Sequence, residues 1–349
     1  MSPEYLAPSF KVEINGSGLA ADISRQIQQV SVTGERNSMD HFSLTVANPY
    51  PEMRWTHNEK DVRLFHVGNT VTIMIGYVGE EQPMISGEIT LVTAQFPESG
   101  TPSLAVQGHT RLHRLDRSSR TRTFQSLTDK QIVEQIAGEY GLTPQVEETG
   151  ETRTVHPSVV QQNQTDLRFL LERANRIHFE LRVEDKTLIF RPAHYTDSPI
   201  AFFEWGKSLR SFSPRLSTQG KVNSVTVRGY DPKTKKEIVG RFTSPSAGGQ
   251  SGPEVTEQAF GSGEEVRERT PVRSQEEADQ LAQAIWNDRT RRFLTGSGTM
   301  IGLPTLRVGQ VIELRGLGLF NGKYRLTTVN HTLDSGGYST RFDGEWFPG

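Results

Sequence analysis

The sequence predicts a mainly β protein with an α+β insert, and three observations carry that prediction. Segments of strand length alternate apolar and polar residues near both ends of the chain. The two ends share a spacing of glycines. Helix signatures are confined to the middle and to one stretch before the last strands.

The shared spacing is specific enough to set out. Near the N-terminus the order is Leu64 to Gly68, Val71 to Gly76, Ser86 to Ile89, then Gly100 and Gly108. Near the C-terminus it is Leu306 to Gly309, Val311 to Gly316, Asn321 to Tyr324, then Gly336 and Gly344. Gly87 to Gly100 is 13 residues and Gly322 to Gly336 is 14, and the next step is 8 in both. The copies differ in the hairpin after the second glycine, where Tyr77 to Pro83 is longer than Leu317 to Phe320. Two β-meanders share turn glycines in any case, because turns need positive φ. The spacing alone therefore fits either a duplicated domain or two unrelated meanders.

Taken in order, Ile27 to Val32 and Phe42 to Val46 alternate with period two, and the run Asn48-Pro49-Tyr50-Pro51 is expected to stop the second strand. Strands follow at 70–76, 84–93 and 103–108, making a small antiparallel sheet that is closed or nearly so. Thr128 to Gln131 forms a capping box behind Leu127. Ile132, Val133 and Ile136 supply a helix face, and Gly141 stands where a helix would end. A second helix runs from Thr165 to about Ile177 on the stripe Leu167, Leu170, Leu171, Ala174 and Ile177. Phe179 to Phe190 is a hairpin turning at Glu184 to Lys186. Lys221 to Gly229 is a strand, and Thr243 to Pro253 is low-complexity loop. Ser274 to Glu277 caps a helix reaching about Phe293, its inner face Ala278, Leu281, Ala282, Ile285 and Trp286. The expected division is 1–115 for the first β-domain and 116–195 for an α/β subdomain. A strand-rich connection with a flexible loop at 243–256 follows at 196–270, and a helix plus the second β-domain occupies 271–349.

Bulk properties exclude more than they assign. A length of 349 residues suggests two or three domains, and an apolar fraction of 34% suits several small cores or an oligomer. No apolar run approaches the ~18 residues of a membrane span, and the segment Met1 to Pro8 reads as no secretory leader. With no cysteine there is no disulfide or thiolate chemistry. The net charge of −2 gives no overall footprint for nucleic acid.

The chemical motifs come out nearly empty. No phosphate-binding G-x-x-x-x-G-K-[ST], no G-x-S-x-G elbow and no H-E-x-x-H occurs. Gly16-Ser17-Gly18, Gly261-Ser262-Gly263 and Gly296-Ser297-Gly298 read as turn or loop glycines. His109 and His113 are four apart but follow a strand and lack a nearby third ligand, so no metal is expected. Glu264, Glu265 and Asp279 read as solvated carboxylates, and the Asn-x-Ser/Thr matches at Asn15, Asn163 and Asn330 as chance. The tryptophans, Trp55, Trp205, Trp286 and Trp346, are scattered and read as core or interface anchors. The sharpest charge feature is Arg111, Arg114, Arg117, Arg120 and Arg122. It is either a basic rim for an acidic partner, with protein favoured over nucleic acid, or a domain junction whose arginines pair with nearby carboxylates.

The run Gln161-x-Asn163-Gln164-Thr165-Asp166-Leu167-x-Phe169-Leu170-Leu171, with Gly141 to Val146 before it and Leu188 to Pro192 after it, resembles the phage late control D family. The closing His331-x-Leu333-Asp334-Ser335-Gly336-Gly337-Tyr338 to Phe342 does so too. These are baseplate hub proteins of contractile phage tails, tailocins and contractile injection systems, similar also to the hub part of VgrG. The resemblance covers essentially the whole chain. It implies two tube-like antiparallel β-barrel domains flanking the α/β subdomain, and a homotrimer that joins a hexameric inner tail tube to a trimeric spike protein among other baseplate proteins. It implies assembly in the bacterial cytoplasm into a particle that can be released, with no cofactor, no catalysis, no specific nucleic acid and no stable membrane association. Rival classes are a tail-associated, wall-degrading hydrolase and a cell-surface-binding module.

Overall fold

In the computed structural model, residues 7–47, 64–177, 179–192, 198–217, 222–231, 235–243, 261, 263–267, 272, 274–291 and 293–347 are described. The expected stop at Asn48 to Pro51, Trp55 and nearly all of the 243–256 loop lie outside them.

The chain is mostly strand. It begins with β1 (Pro8–Ile14), β2 (Ser17–Gly18), helix α1 (Ala21–Ser24), β3 (Ile27–Glu35), β4 (His41–Ala47), β5 (Thr70–Tyr77), β6 (Gln82–Gln95) and β7 (Ser103–His109). After a 3₁₀ turn (Arg111–Asp116) come β8 (Ser119–Thr128), α2 (Asp129–Glu139), β9 (Thr143–Val146), α3 (Gly150–Arg153) and β10 (Val155–Thr165). Helix α4 (Asp166–Arg176), β11 (Phe179–Glu184) and β12 (Thr187–Pro192) complete that stretch. The last part holds β13 (Phe202–Glu204), β14 (Leu209–Leu216), β15 (Ser224–Asp231), β16 (Lys236–Thr243), β17 (Glu264–Arg267) and α5 (Gln275–Arg291). It ends with β18 (Leu294–Ile301), β19 (Val311–Arg315), β20 (Gly322–Asp334) and β21 (Gly337–Phe347).

Thirteen strands form one sheet that runs β14-β18-β21-β20-β3-β4-β7-β6-β5-β1-β2, with β13 and β19 continuing from β20. The two ends of the chain are thus two halves of a single sheet, joined where β3 pairs antiparallel with β20. Each half has its own core. Val30, Phe42, Leu44, Val71, Ile73, Ile75, Ile89 and Val106 fill the first; Leu209, Met300, Ile312, Leu314, Tyr324, Leu326 and Phe342 fill the second. Alternation explains the split: β4 reads exposed, buried, half-buried, buried along its length, as a strand with one covered face must.

The middle segment has a third core in which Ile132, Val133 and Ile136 of α2 and Leu167, Leu170 and Ala174 of α4 meet Leu181, Leu188 and Phe190. The helix starts are those the sequence signals. Thr128 and Gln131 exchange the two capping-box bonds, and Thr165 Oγ accepts from the amide of Arg168. The turn of the β11–β12 hairpin puts Asp185 at φ +50°.

Two sequence expectations are corrected. Helix α5 does not join the second β-half. Its Ala278 and Ala282 are buried against Val225, Val227 and Ile238 of β15 and β16, making a fourth core, and a Cβ at Gly240 would lie 2.3 Å from the carbonyl oxygen of Ala278. Small residues on both surfaces let the helix lie close on that sheet, so its apolar face has a nearer partner than β18–β21. The strands that do join the second half, β13 and β14, come from before 217. Gly296 and Gly298 are not turn residues either. They lie mid-strand in β18, beneath the rings of Phe212 and Phe342.

Candidate assembly interfaces

Over five strands the pairing registers of the two sheet halves correspond residue for residue. Gly68, at φ +93°, donates to Ile89 O at 2.8 Å, and Ile89 donates back to Asn69 O; Gly309, at φ +86°, donates to Leu326 O at 2.9 Å, and Leu326 donates back to Gln310 O. Ile89 faces Gly108 and Leu326 faces Gly344, and one step later each long strand carries a bulge, before Leu91 and before Thr328. The neighbouring pair agrees as well. Ile27 faces Val46 with a bulge before Gln29, and Leu209 faces Met300 with a bulge before Ser211. β3-β4-β7-β6-β5 therefore corresponds to β14-β18-β21-β20-β19. Bulges disrupt pairing and occur at particular places, so two coincident bulges identify a duplicated unit where glycine spacing could not. The correspondence ends at the next strand, since β1 runs antiparallel to β5 but β13 parallel to β19.

At the junction of the halves, β3 and β20 pair from Glu35↔Thr328 to Val30↔Leu333. On one face Asn330 donates to Ser31 Oγ at 2.8 Å and to Thr33 Oγ1 at 2.7 Å, while Thr332 donates to Asn330 Oδ1 at 2.8 Å. On the other face His331 is buried. Its Nε2 donates to Leu306 O at 3.0 Å, and Nδ1 lies 2.8 Å from the hydroxyl of Tyr338 and 3.2 Å from that of Thr340. Burial lowers its pKa to about 4, so the neutral ring is the resident form.

Across the polar face of β14, β18, β21, β20 and β3 runs a groove of about 410 Å³. Ser213, Arg215, Ser297, Asp343, Glu345 and Arg36 are among its lining residues. Its charges answer one another: Arg36 Nη1 lies 3.4 Å from Glu345 Oε2, and Ser297 donates to Asp343 at 2.5 Å.

The arginine cluster is mostly paired within the chain. Arg111 is buried between Glu88 and Asp185, and Arg114 grips Glu88 through Nε at 2.9 Å and Nη2 at 2.5 Å. Burial opposes charge on Glu88, but the bonds from Arg114 and His113 outweigh it and hold its carboxyl below the usual range. Arg120 and Arg122 both reach Glu139 and Asp166, Arg122 Nη2 lying 2.6 Å from Asp166. Only Arg117 of the five has no ion pair among the described residues, and it is exposed.

These pairs explain the Gln161 to Leu171 run. Gln161 and Asp166 are fully buried. Gln161 donates to Asp166 at 2.8 Å and accepts from Arg122 Nε at 2.8 Å, and the Tyr140 hydroxyl donates to Asp166 at 2.7 Å. Asn163 takes the left-handed conformation, φ +45°, inside the bulge between Gln161 and Gln164 that folds this corner. A second buried set lies nearby, where Arg173 bonds Asp129 at 2.6 and 2.8 Å and His156 lies 2.9 Å from it. The most specific motif of the chain thus builds a structural clasp among β8, β10, α2 and α4. Among the described residues no group of three or more His, Asp or Glu is placed to hold a metal, and no helix is long and apolar enough to cross a membrane.

The sequence does not show which strands carry open edges, and the structure does. Among the described residues, β14 pairs on one side only, with β18. Among the same residues, β6 past Ile89 pairs only with β7, so its other edge is open. Leu91 and Leu216 on these edges, and Phe96 just past the end of β6, are each about half exposed, at 49%, 55% and 56%.

The fold is that of solved phage tail proteins. The 43 kDa tail protein of prophage MuSo2 from Shewanella oneidensis superimposes with a TM-score of 0.74 at 14% identity, covering 97% of this chain and 98% of its own. The tail protein of Neisseria meningitidis MC58 gives 0.73 at 12% identity, with 97% and 96% covered. An E. coli component of the type VI secretion system, described as structurally similar to the T4 tail proteins gp27 and gp5, gives 0.59 at 12% identity, with 97% and 77% covered. By sequence, the chain matches the Alg8 N-terminal domain family over residues 5–335 and belongs to it. No curated protein matches it.

Proposed function

We propose that this protein is the baseplate hub of a contractile tail or injection particle, a homotrimer that joins a hexameric inner tube to a trimeric spike. One observation carries the reading: a single chain holds two β-units of equal strand order and bulge position, already joined edge to edge. A chain with two like units presents six of them as a trimer, which is what a threefold spike and a sixfold tube require of whatever stands between them. The resemblance of the Gln161 to Leu171 run to the late control D family and the shared fold of the tail proteins support the same role. The role is geometric and needs no cofactor, metal or catalytic group. In it Arg117, exposed at the junction, is available to an acidic surface of a tube, spike or baseplate partner.

The test is the mass of the purified protein by light scattering, with negative-stain imaging of the particles it forms. The expected result is a threefold ring of six lobes. A protein that stays monomeric at every concentration, alone and with its tube and spike neighbours, overturns the reading.

A further inference from the structure

The junction inside the chain specifies how a second copy would join. β3 and β20 pair within one chain; β14 is the counterpart of β3, and β6 that of β20. Among the described residues both counterparts have an open edge where the original has its partner. Building on the hub reading, we propose that β14 of one copy pairs antiparallel with the projecting part of β6 of the next, in the register of the internal junction. Transferring the pairs residue by residue gives Leu91 opposite Ser217, Val92 opposite Leu216, Thr93 opposite Arg215, Ala94 opposite Pro214, Gln95 opposite Ser213 and Phe96 opposite Phe212.

That register comes from other residues, yet apart from Leu91 opposite Ser217 the side chains it brings together agree in character. On one face Val92, Ala94 and Phe96 meet Leu216, Pro214 and Phe212, covering three large side chains now exposed or half-buried. On the other face Thr93 and Gln95 meet Arg215 and Ser213, where the internal junction has Asn330 and Thr332 bonded with Thr33 and Ser31. A slip of one residue in either direction would set apolar against polar at every pair except Leu91 opposite Leu216. The backbone agrees as well. Arg36 donates its amide across the internal junction to Thr327 O, so the amides of Gly34 and Val32 also face β20. Ser217 donates to Phe293 on the β18 side, so the amide of Leu216 faces the open edge, and so does the nitrogen of Pro214. Pro214 has no hydrogen to give there. It removes one bond of the ladder and keeps the edge unattractive to unrelated strands before assembly.

The native chain has no cysteine, so Thr93→Cys/Arg215→Cys carries only the two introduced thiols. Both positions fall at a non-hydrogen-bonded pair, where cross-strand Cβ atoms approach within disulfide range. Under mild oxidation the expected products are disulfide-linked dimers and trimers, at least tenfold more abundant than from Thr93→Cys/Leu216→Cys, whose thiols face opposite sides. A trimer by light scattering with no excess of cross-linking over that control overturns the register while leaving the hub reading standing. A monomer with no cross-linking overturns both. Phe96→Asp, at an exposed side chain outside the internal junction, is expected to raise the concentration of half-assembly at least tenfold; unchanged assembly overturns the proposal.

Discussion

His331 makes the stability of the internal junction depend on pH. The ring is 3% exposed. Because a carbonyl can only accept, Nε2 carries the hydrogen that meets Leu306 O, and Nδ1 is left as an acceptor for the hydroxyls of Tyr338 and Thr340. Burial lowers the pKa to about 4 from an ordinary 6.5, and Arg307 adds repulsion against a second positive charge. A folded pKa below the unfolded one means the unfolded chain binds the proton first. The contribution is therefore complete above about pH 6.5 and falls away as pH drops through 4. The gap between about 4 and 6.5, at about 1.4 kcal/mol per pH unit, makes the loss roughly 3 kcal/mol. Urea unfolding between about pH 7 and pH 4 measures it when native protein is set beside His331→Gln, which keeps a donor and an acceptor but cannot titrate. The variant is expected to be less stable at neutral pH and to lose about 3 kcal/mol less on acidification. Equal pH slopes in the two proteins would refute the reasoning.

Two further outcomes follow from close contacts elsewhere. A Cβ at Gly108 would lie 2.3 Å from Glu88 O and 2.4 Å from Phe42 Cζ, so Gly108→Ala is expected to cost about 3 kcal/mol in a thermal or urea melt. Asp166→Ala leaves Arg122 and Gln161 facing a buried gap and is expected to cost about 3–5 kcal/mol, measurable by the same melts.

Much of the fold was legible because local chemistry and global structure agree. Thr128, Thr165 and Ser274 cap the helices that follow them, and Gly68 and Gly309 occupy positive-φ turns that few other residues accept. The destination of α5 was not legible, because its apolar stripe says that it is covered and not by what. The arginine cluster left two readings open for a related reason. Its carboxylates come from distant positions, Glu88, Glu139, Asp166 and Asp185, which only the fold brings near. The location of the open edges was hidden most completely, since an edge is a property of pairing and leaves no mark in composition beyond a proline such as Pro214.

The weakness of the repeat in the sequence has a packing cause. Phe42 and Leu44 on β4 correspond to Gly296 and Gly298 on β18, so the second half lacks two large side chains that the first half has. Their space is filled from the neighbouring strands: Val30 corresponds to Phe212, and Val106 to Phe342. A Cβ at Gly296 would lie 2.2 Å from Phe212 Cζ and one at Gly298 2.5 Å from Phe342 Cζ, so the rings occupy the glycine positions directly. Large and small residues have changed places between adjacent strands while strand order, bulges and pairing register stayed fixed. A core requires conserved volume rather than conserved residues, whereas pairing between units requires conserved backbone geometry. Constraint of that second kind, strong on edges and weak on cores, is what an assembly built from strand edges imposes.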